Sequence, residues 1–146
     1  MKKYILIAIA ICFVIGVSVG LYLYNMKAKD FAHSKPSVIV TVDEIYRQFN
    51  GDEVAATTKY VVADKVVQVS GILKEATTDS DSITTLVLSD LNNADEMVSI
   101  TLEEKNLEIA KNLPIGLLIV VNGQCTGMLD DFVTKKVQMI RGGIIK

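Results

Sequence analysis

A run of 21 residues without a charge, YILIAIAICFVIGVSVGLYLY at 4–24, constrains this chain more than any other feature. As a helix, at a rise of 1.5 Å per residue, the run is about 31 Å long, against a bilayer hydrocarbon core of roughly 30 Å. Lys2 and Lys3 precede it, and Tyr4, Tyr22 and Tyr24 lie at its two ends, where interfacial aromatic residues favour the headgroup region. The expectation is one transmembrane helix over 4–24, with residues 1–3 as its basic N-terminal side. A cleaved signal peptide is the alternative, since Ser18-Val19-Gly20 offers a small-x-small site, although the apolar run continues past it. A lipoprotein signal fits less well, because Ile11 stands before Cys12. Lys2 and Lys3 favour an inside N-terminus, which puts the rest of the chain on the extracytoplasmic side.

Residues 25–37 read as a short polar tether, and 38–146 as one folded domain. All 17 acidic residues follow the apolar run, whereas two of the 15 basic ones precede it, so the part beyond the run carries a net charge of −4. With no basic block, it lacks the usual electrostatic footprint of a nucleic-acid binder, and nucleic acid is not an expected partner.

Thr41 with Glu44 three positions on forms a candidate capping box, and Val42, Ile45, Tyr46 and Phe49 fall on one helical face. Asn50-Gly51 breaks that helix, and Asp52 caps a second one through about Lys59, with Val54, Ala55 and Thr58 expected inward. From Lys65 the period becomes two. KVVQVSGILKEA at 65–76 is a long strand, in which Gly71 predicts a bulge or bend. TTDSDS at 77–82 is a hairpin loop, ITTLVLSD at 83–90 a second strand and MVSITL at 97–102 a third. Leu107, Ala110 and Lys111 are spaced for a helix that Pro114 and Gly116 end. LLIVVNGQCTGML at 117–129 and FVTKKVQMI at 132–140 complete five strands. Three strands, a helix, then two strands is the order of an OB-fold, so the expected class is mainly β. In full, it is a five-stranded OB-fold barrel with a short helical lead-in and a helix between strands 3 and 4, preceded by one transmembrane helix.

KVVQVSGILKEA at 65–76 and NGQCTGMLDDFV at 122–133, with the lead-in DEIYRQFNGDEVAATTKYVVADK at 43–65, resemble the tRNA-anti-like OB-fold family of small bacterial envelope proteins. The resemblance covers roughly 40–140. It implies a bacterial cytoplasmic-membrane location, with an N-terminal anchor or export signal, and no established enzymatic activity. It also implies that the cysteine of the C-T-G motif often has a second cysteine about twelve residues on; here that position is Val137. The family's name suggests nucleic acid, but fold alone does not imply function.

Candidate chemistry is sparse. Cys125 has no histidine in reach as a base, His33 lying in the tether, and no set of Cys and His to share a zinc ion. The expected role is a small apolar core residue, although an unpaired exported cysteine also leaves an intermolecular disulfide open. Asp79 and Asp81 in the hairpin, and Asp130-Asp131 after Gly127, read as turn residues. No catalytic residue, metal or cofactor is expected. A ligand face, if the domain has one, would offer Lys74, Thr84, Thr85, Ser99 and Thr101, without the aromatic residues on which single strands usually stack. Lys135, Lys136 and Arg141 read as a solvated basic cluster. The expected function is a non-catalytic binding or interaction module. Its expected partners are the membrane through 4–24 and an envelope protein, peptide or glycan; the alternative is a nucleic-acid-binding OB-fold.

Overall fold

The computed structural model describes residues 2–25, 30–81, 83–131 and 133–145. In chain order it contains α1 (Lys2–Asn25), β1 (Val38–Thr41), α2 (Val42–Gly51), α3 (Glu53–Tyr60), β2 (Val67–Thr78), β3 (Thr84–Ser89) and β4 (Met97–Leu102). A 3-10 turn (Glu104–Asn106), α4 (Leu107–Lys111), β5 (Leu118–Asp130) and β6 (Lys135–Ile144) follow. Described side chains in α1 are those of 11–24, all exposed. Among the described residues no helix is long and apolar enough to cross a membrane, and the first part of the expected span lies outside the described side chains.

The lead-in forms as its caps dictate. Thr41 is extended and its Oγ1 accepts from Glu44 N at 3.2 Å, while Asp43 and Glu44 place negative charge at the positive end of α2. Glu44 does not return the bond to Thr41; its Oε1 accepts from Gln48 Nε2 at 3.3 Å. Asp52 ends α2 and starts α3, its Oδ1 accepting from Ala55 N at 2.9 Å. The inward face of α3 differs from the expected one: Ala56 and Tyr60 are buried, and Val54 is 78% exposed. The cause lies at the end of α3. Tyr60 packs its ring 5.9 Å from that of Phe49 and donates its hydroxyl to Gln48 Oε1 at 2.9 Å, which rotates Val54 to solvent.

All six strands join one sheet in the order β1-β2-β3-β4-β6-β5, with a further pairing of β2 to β5. That pairing returns the order to its second member, so β2, β3, β4, β6 and β5 form a closed circuit of hydrogen-bonded neighbours. The expected five strands are present. A sixth, β1, pairs parallel to the start of β2 through Val38↔Val67 to Thr41↔Ser70. Four residues are too few for a periodic signal, and a parallel partner leaves no hairpin turn to announce it.

β2 carries the closure because its first half pairs with β5 and its second half with β3. Gly71 sits where β1 gives way to β3 along one edge. A Cβ there would stand 2.6 Å from Val42 Cγ2 and 3.0 Å from the Ser89 carbonyl oxygen. The expected bulge falls three residues later, at Lys74, between the Leu73↔Leu88 and Glu75↔Val87 pairs. The core inside the circuit is Val67, Val69, Leu73, Leu86, Leu88, Val98, Ile100, Ile119, Val121 and Met139, with Val42, Ile45 and Phe49 of α2 packed against it.

The stretch read as a tether is also part of the packing. Asn122 is 1% exposed, and its Nδ2 donates to the carbonyl oxygens of Phe31 (3.2 Å), Ala32 (3.4 Å) and Ser34 (3.1 Å). Gln68 Nε2 donates to Asn122 Oδ1 at 3.1 Å. Phe31 is fully buried, beneath the Arg141 guanidinium at 5.7 Å from its ring centre. Gly143 lies flat against Ala32, where a Cβ would overlap it. No pattern in 30–37 announces this, because the acceptors are main-chain carbonyls.

Cys125 faces the core at 1% exposure, and burial pushes its thiol up to about 11, offset in part by a backbone hydrogen bond from Gly127. The residue opposite it on β6 is Met139, while Val137 lies opposite Met128. A cysteine at 137 would therefore be diagonal to Cys125.

Two outcomes are expected. Gly71→Ala should lower unfolding stability by about 1–3 kcal/mol in a urea titration, since the Ser89 backbone cannot yield to a methyl group. Cys125 should resist a thiol reagent at neutral pH and label on denaturation. Because its folded pKa is raised, the stability it contributes is complete below the unfolded value near 9 and declines as pH rises toward about 11. The loss across that window should be at most about 1.4 kcal/mol per pH unit, and a shallower profile in Cys125→Ala would assign the difference to this thiol.

Candidate functional site

Strand alternation and register place the candidate residues. On β3, Thr84, Leu86 and Leu88 point inward, and Thr85 and Val87 outward; on β4, Val98, Ile100 and Leu102 point inward, and Ser99 and Thr101 outward. Two rows cross the outer face. One runs Thr77↔Thr85↔Thr101, the other Glu75↔Val87↔Ser99↔Gln138. Thr85, Ser99 and Thr101 are half-buried, while Thr77, Glu75 and Gln138 are exposed. The structure thus gathers three of the five expected residues on one face, a row of hydroxyls rimmed by one carboxylate and one amide.

Thr84 lies elsewhere. It is 2% exposed, and its Oγ1 shares a hydrogen bond of 2.8 Å with Thr78 Oγ1. Both line a cleft of about 340 Å³ together with Ala110, Lys111 and Leu113. Lys74, lifted out of register by the bulge, turns its ammonium to the Ala94 carbonyl oxygen at 3.0 Å and to Met97 Sδ at 3.7 Å. Its charge therefore ties β2 to the loop before β4. Gln138 and Thr77 belong to the face and were missed. Alternation carried from Val137 and Met139 identifies Gln138, and the register of the hairpin identifies Thr77.

The remaining polar clusters have structural partners. Asp79 Oδ1 accepts from Asp81 N at 3.0 Å and Ile83 N at 2.9 Å, which closes the hairpin tip. Asp130 pairs with Lys135 at 2.9 Å, and the accepted hydrogen bond holds the Lys135 ammonium above its usual range. Arg141 reaches Asp64 at 4.0 Å and His33 reaches Asp30 at 3.1 Å, so Lys135 and Arg141 of the basic cluster each have a carboxylate partner. A second cleft, of about 300 Å³, lies between α2 and α3 and includes Arg47, Gln48 and Lys59. Gln48 is already engaged there, accepting from Lys59 Nζ at 2.9 Å. Among the described residues no group of three or more His, Cys, Asp or Glu could hold a metal ion. Described aromatic residues beyond α1 lie in α2, α3 and the docked segment; Phe132, expected in the last strand, falls outside the described residues.

No curated protein matches the chain. Among solved structures, a "putative nucleic acid-binding lipoprotein" from Klebsiella pneumoniae subsp. pneumoniae MGH 78578 is similar, with 16% identity and a TM-score of 0.62. The match covers 82% of this chain and 100% of that one. At that identity the likeness speaks for the fold. OBody AM3L09 bound to hen egg-white lysozyme is similar at 15% identity and a TM-score of 0.42, over 57% of this chain and 83% of that one. The expectation that nucleic acid is not a partner is overturned, since the similar lipoprotein is described as a nucleic-acid binder. The physical flaw lay in using a whole-domain charge: phosphate and sugar contacts are local, and hydroxyls and amides make many of them. The tRNA_anti-like model matches residues 1–139 and bears out the resemblance seen at 40–140: the chain is an OB-fold domain protein of the tRNA_anti-like family.

Proposed function

We propose that this protein is a non-catalytic binding module of the bacterial cell envelope. In this reading a single-stranded nucleic acid lies across the hydroxyl face of β3 and β4. The observation that carries it is the gathering of Thr85, Ser99 and Thr101 on one outward face, in register with Thr77 and Gln138. In this reading the closed circuit of β2, β3, β4, β6 and β5 is the OB barrel, with β1 added to its rim. The relation to a lipoprotein described as nucleic acid-binding supports the ligand class. With no aromatic ring among the described residues of the face, the contacts are hydrogen bonds from hydroxyl and amide groups to phosphate and sugar. Binding is then independent of sequence and weak, in the range of about 10⁻⁴–10⁻⁶ M typical of non-specific contacts.

The apolar run at 4–24 serves as the membrane anchor, and the exposed side chains of 11–24 along α1 support that role. The domain then stands on the extracytoplasmic side. In this reading the role is non-catalytic: the Cys125 thiol is buried and neutral, Asp79 closes a turn and Asp130 pairs with Lys135.

Fluorescence anisotropy of the full chain in detergent, with labelled oligo-dT and oligo-U, tests the reading. Saturable binding is expected at low salt, with only a shallow salt dependence, because the named contacts are neutral hydroxyl and amide groups. Replacing Thr85, Ser99 and Thr101 together by Ala should weaken it by about fivefold for each hydrogen bond lost. Surface changes of this kind should move stability by no more than about 0.5 kcal/mol. No binding at low salt, or a triple variant that binds like the parent, would remove this face as the nucleic-acid site.

A further inference from the structure

We propose that the segment pinned by Asn122 fixes which side of the domain meets the membrane. The β5 side, with Ile39, Ile145, Lys35 and Arg141, rests on the phospholipid surface, and the β3–β4 hydroxyl face turns to the aqueous phase. The inference rests on the membrane-anchor reading above and deepens it by giving the domain an orientation.

Chain length supplies the first constraint. α1 ends at Asn25, and the docked segment begins by Phe31 with Asp30 just before it. Five peptide steps separate Asn25 from Asp30, so their Cα atoms lie at most about 18 Å apart even when the chain is extended. A free tether through 37 would have more than doubled that reach and left the domain able to tumble. The bonds from Asn122 to the carbonyls of Phe31, Ala32 and Ser34, and the burial of Phe31, remove that freedom.

Strand order supplies the second. Asn122 points outward from β5, in a register row that runs Ile39↔Gln68↔Asn122↔Gly143 across β1, β2, β5 and β6. In the closed circuit the neighbours of β5 are β2 and β6, so β3 and β4 are the two strands on the far side. A domain held to the bilayer at the outer side of β5 therefore presents Thr85, Ser99 and Thr101 away from it.

The chemistry of the docked side suits a headgroup layer. Ile39 is 68% exposed and Ile145 43% exposed, which leaves aliphatic surface beside the segment without cover from the domain. Lys35 is exposed within it, and Arg141 lies over Phe31 at its margin. Cations next to aliphatic side chains are the pairing that an anionic interface attracts. Asp30 and Asp64 are on this side too, engaged with His33 and Arg141 respectively.

The test uses the full chain with Cys12→Ser, in phosphatidylcholine–phosphatidylglycerol vesicles, with one fluorophore on Ile39→Cys, Ile145→Cys or Thr85→Cys. Headgroup-labelled quencher lipid should remove emission at 39 and 145 and leave it at 85. Asn122→Ala should restore emission at 39 and 145 while the protein still floats with the vesicles. If the labelled chains do not float, the anchor reading fails and takes this inference with it. Flotation with equal quenching at all three positions overturns the orientation alone, and that outcome needs no Asn122 variant.

Discussion

The architecture depends on β2 finding two partners along its length. Its first residues pair with β5 on one edge and β1 on the other; beyond Gly71, β3 replaces β1. Without the β2–β5 ladder the strands would form an open sheet with two free edges, each a row of unpaired donors and acceptors. With it, five strands close around a single aliphatic core. The closure requires a residue at 71 with no side chain, because α2 and the Ser89 carbonyl occupy the space a Cβ would take. One glycine thus links the helical lead-in, the strand exchange and the core.

Closure also decides where function can lie. Inward positions belong to packing, as Cys125 and the aliphatic residues do, while Thr84 opens onto the cleft beside α4. The ends are partly filled: α2 packs its apolar face on the core, and α4 lines the cleft that Thr84 shares. What is left is the outer surface, divided by the docked segment into a β5 side and a β3–β4 side. The hydroxyl rows occupy the second. Their chemistry is that of neutral hydrogen-bonding groups, the kind the proposed ligand would need.

Much of this was legible in the sequence because it rests on local patterns. The period-two alternation of KVVQVSGILKEA and MVSITL, the Thr41 and Asp52 caps, and the turn chemistry of TTDSDS each mark an element by themselves. The Cys125 motif was legible as core and as a family mark, and the resemblance was borne out over nearly the whole chain. Other features were hidden because they depend on main chain or on distant partners. β1 has four residues and a parallel partner. The docked segment shows no apolar pattern beyond Phe31, and its anchor is one asparagine some ninety positions on. Lys74 looked available to a ligand because a bulge cannot be located from alternation. The case against nucleic acid failed for a different reason, since a summed charge is silent about the chemistry of one face.

The central claim is that the outer β3–β4 face is the binding surface. Backbone amide chemical shifts, followed while oligo-dT is added to the isotopically labelled full chain in detergent micelles, test it most directly. The account expects the shifts to concentrate at Thr77, Thr85, Ser99, Thr101 and Gln138, with Asn122 and its neighbours unmoved. Shifts concentrated instead at Arg47, Gln48 and Lys59, in the cleft between α2 and α3, would contradict it.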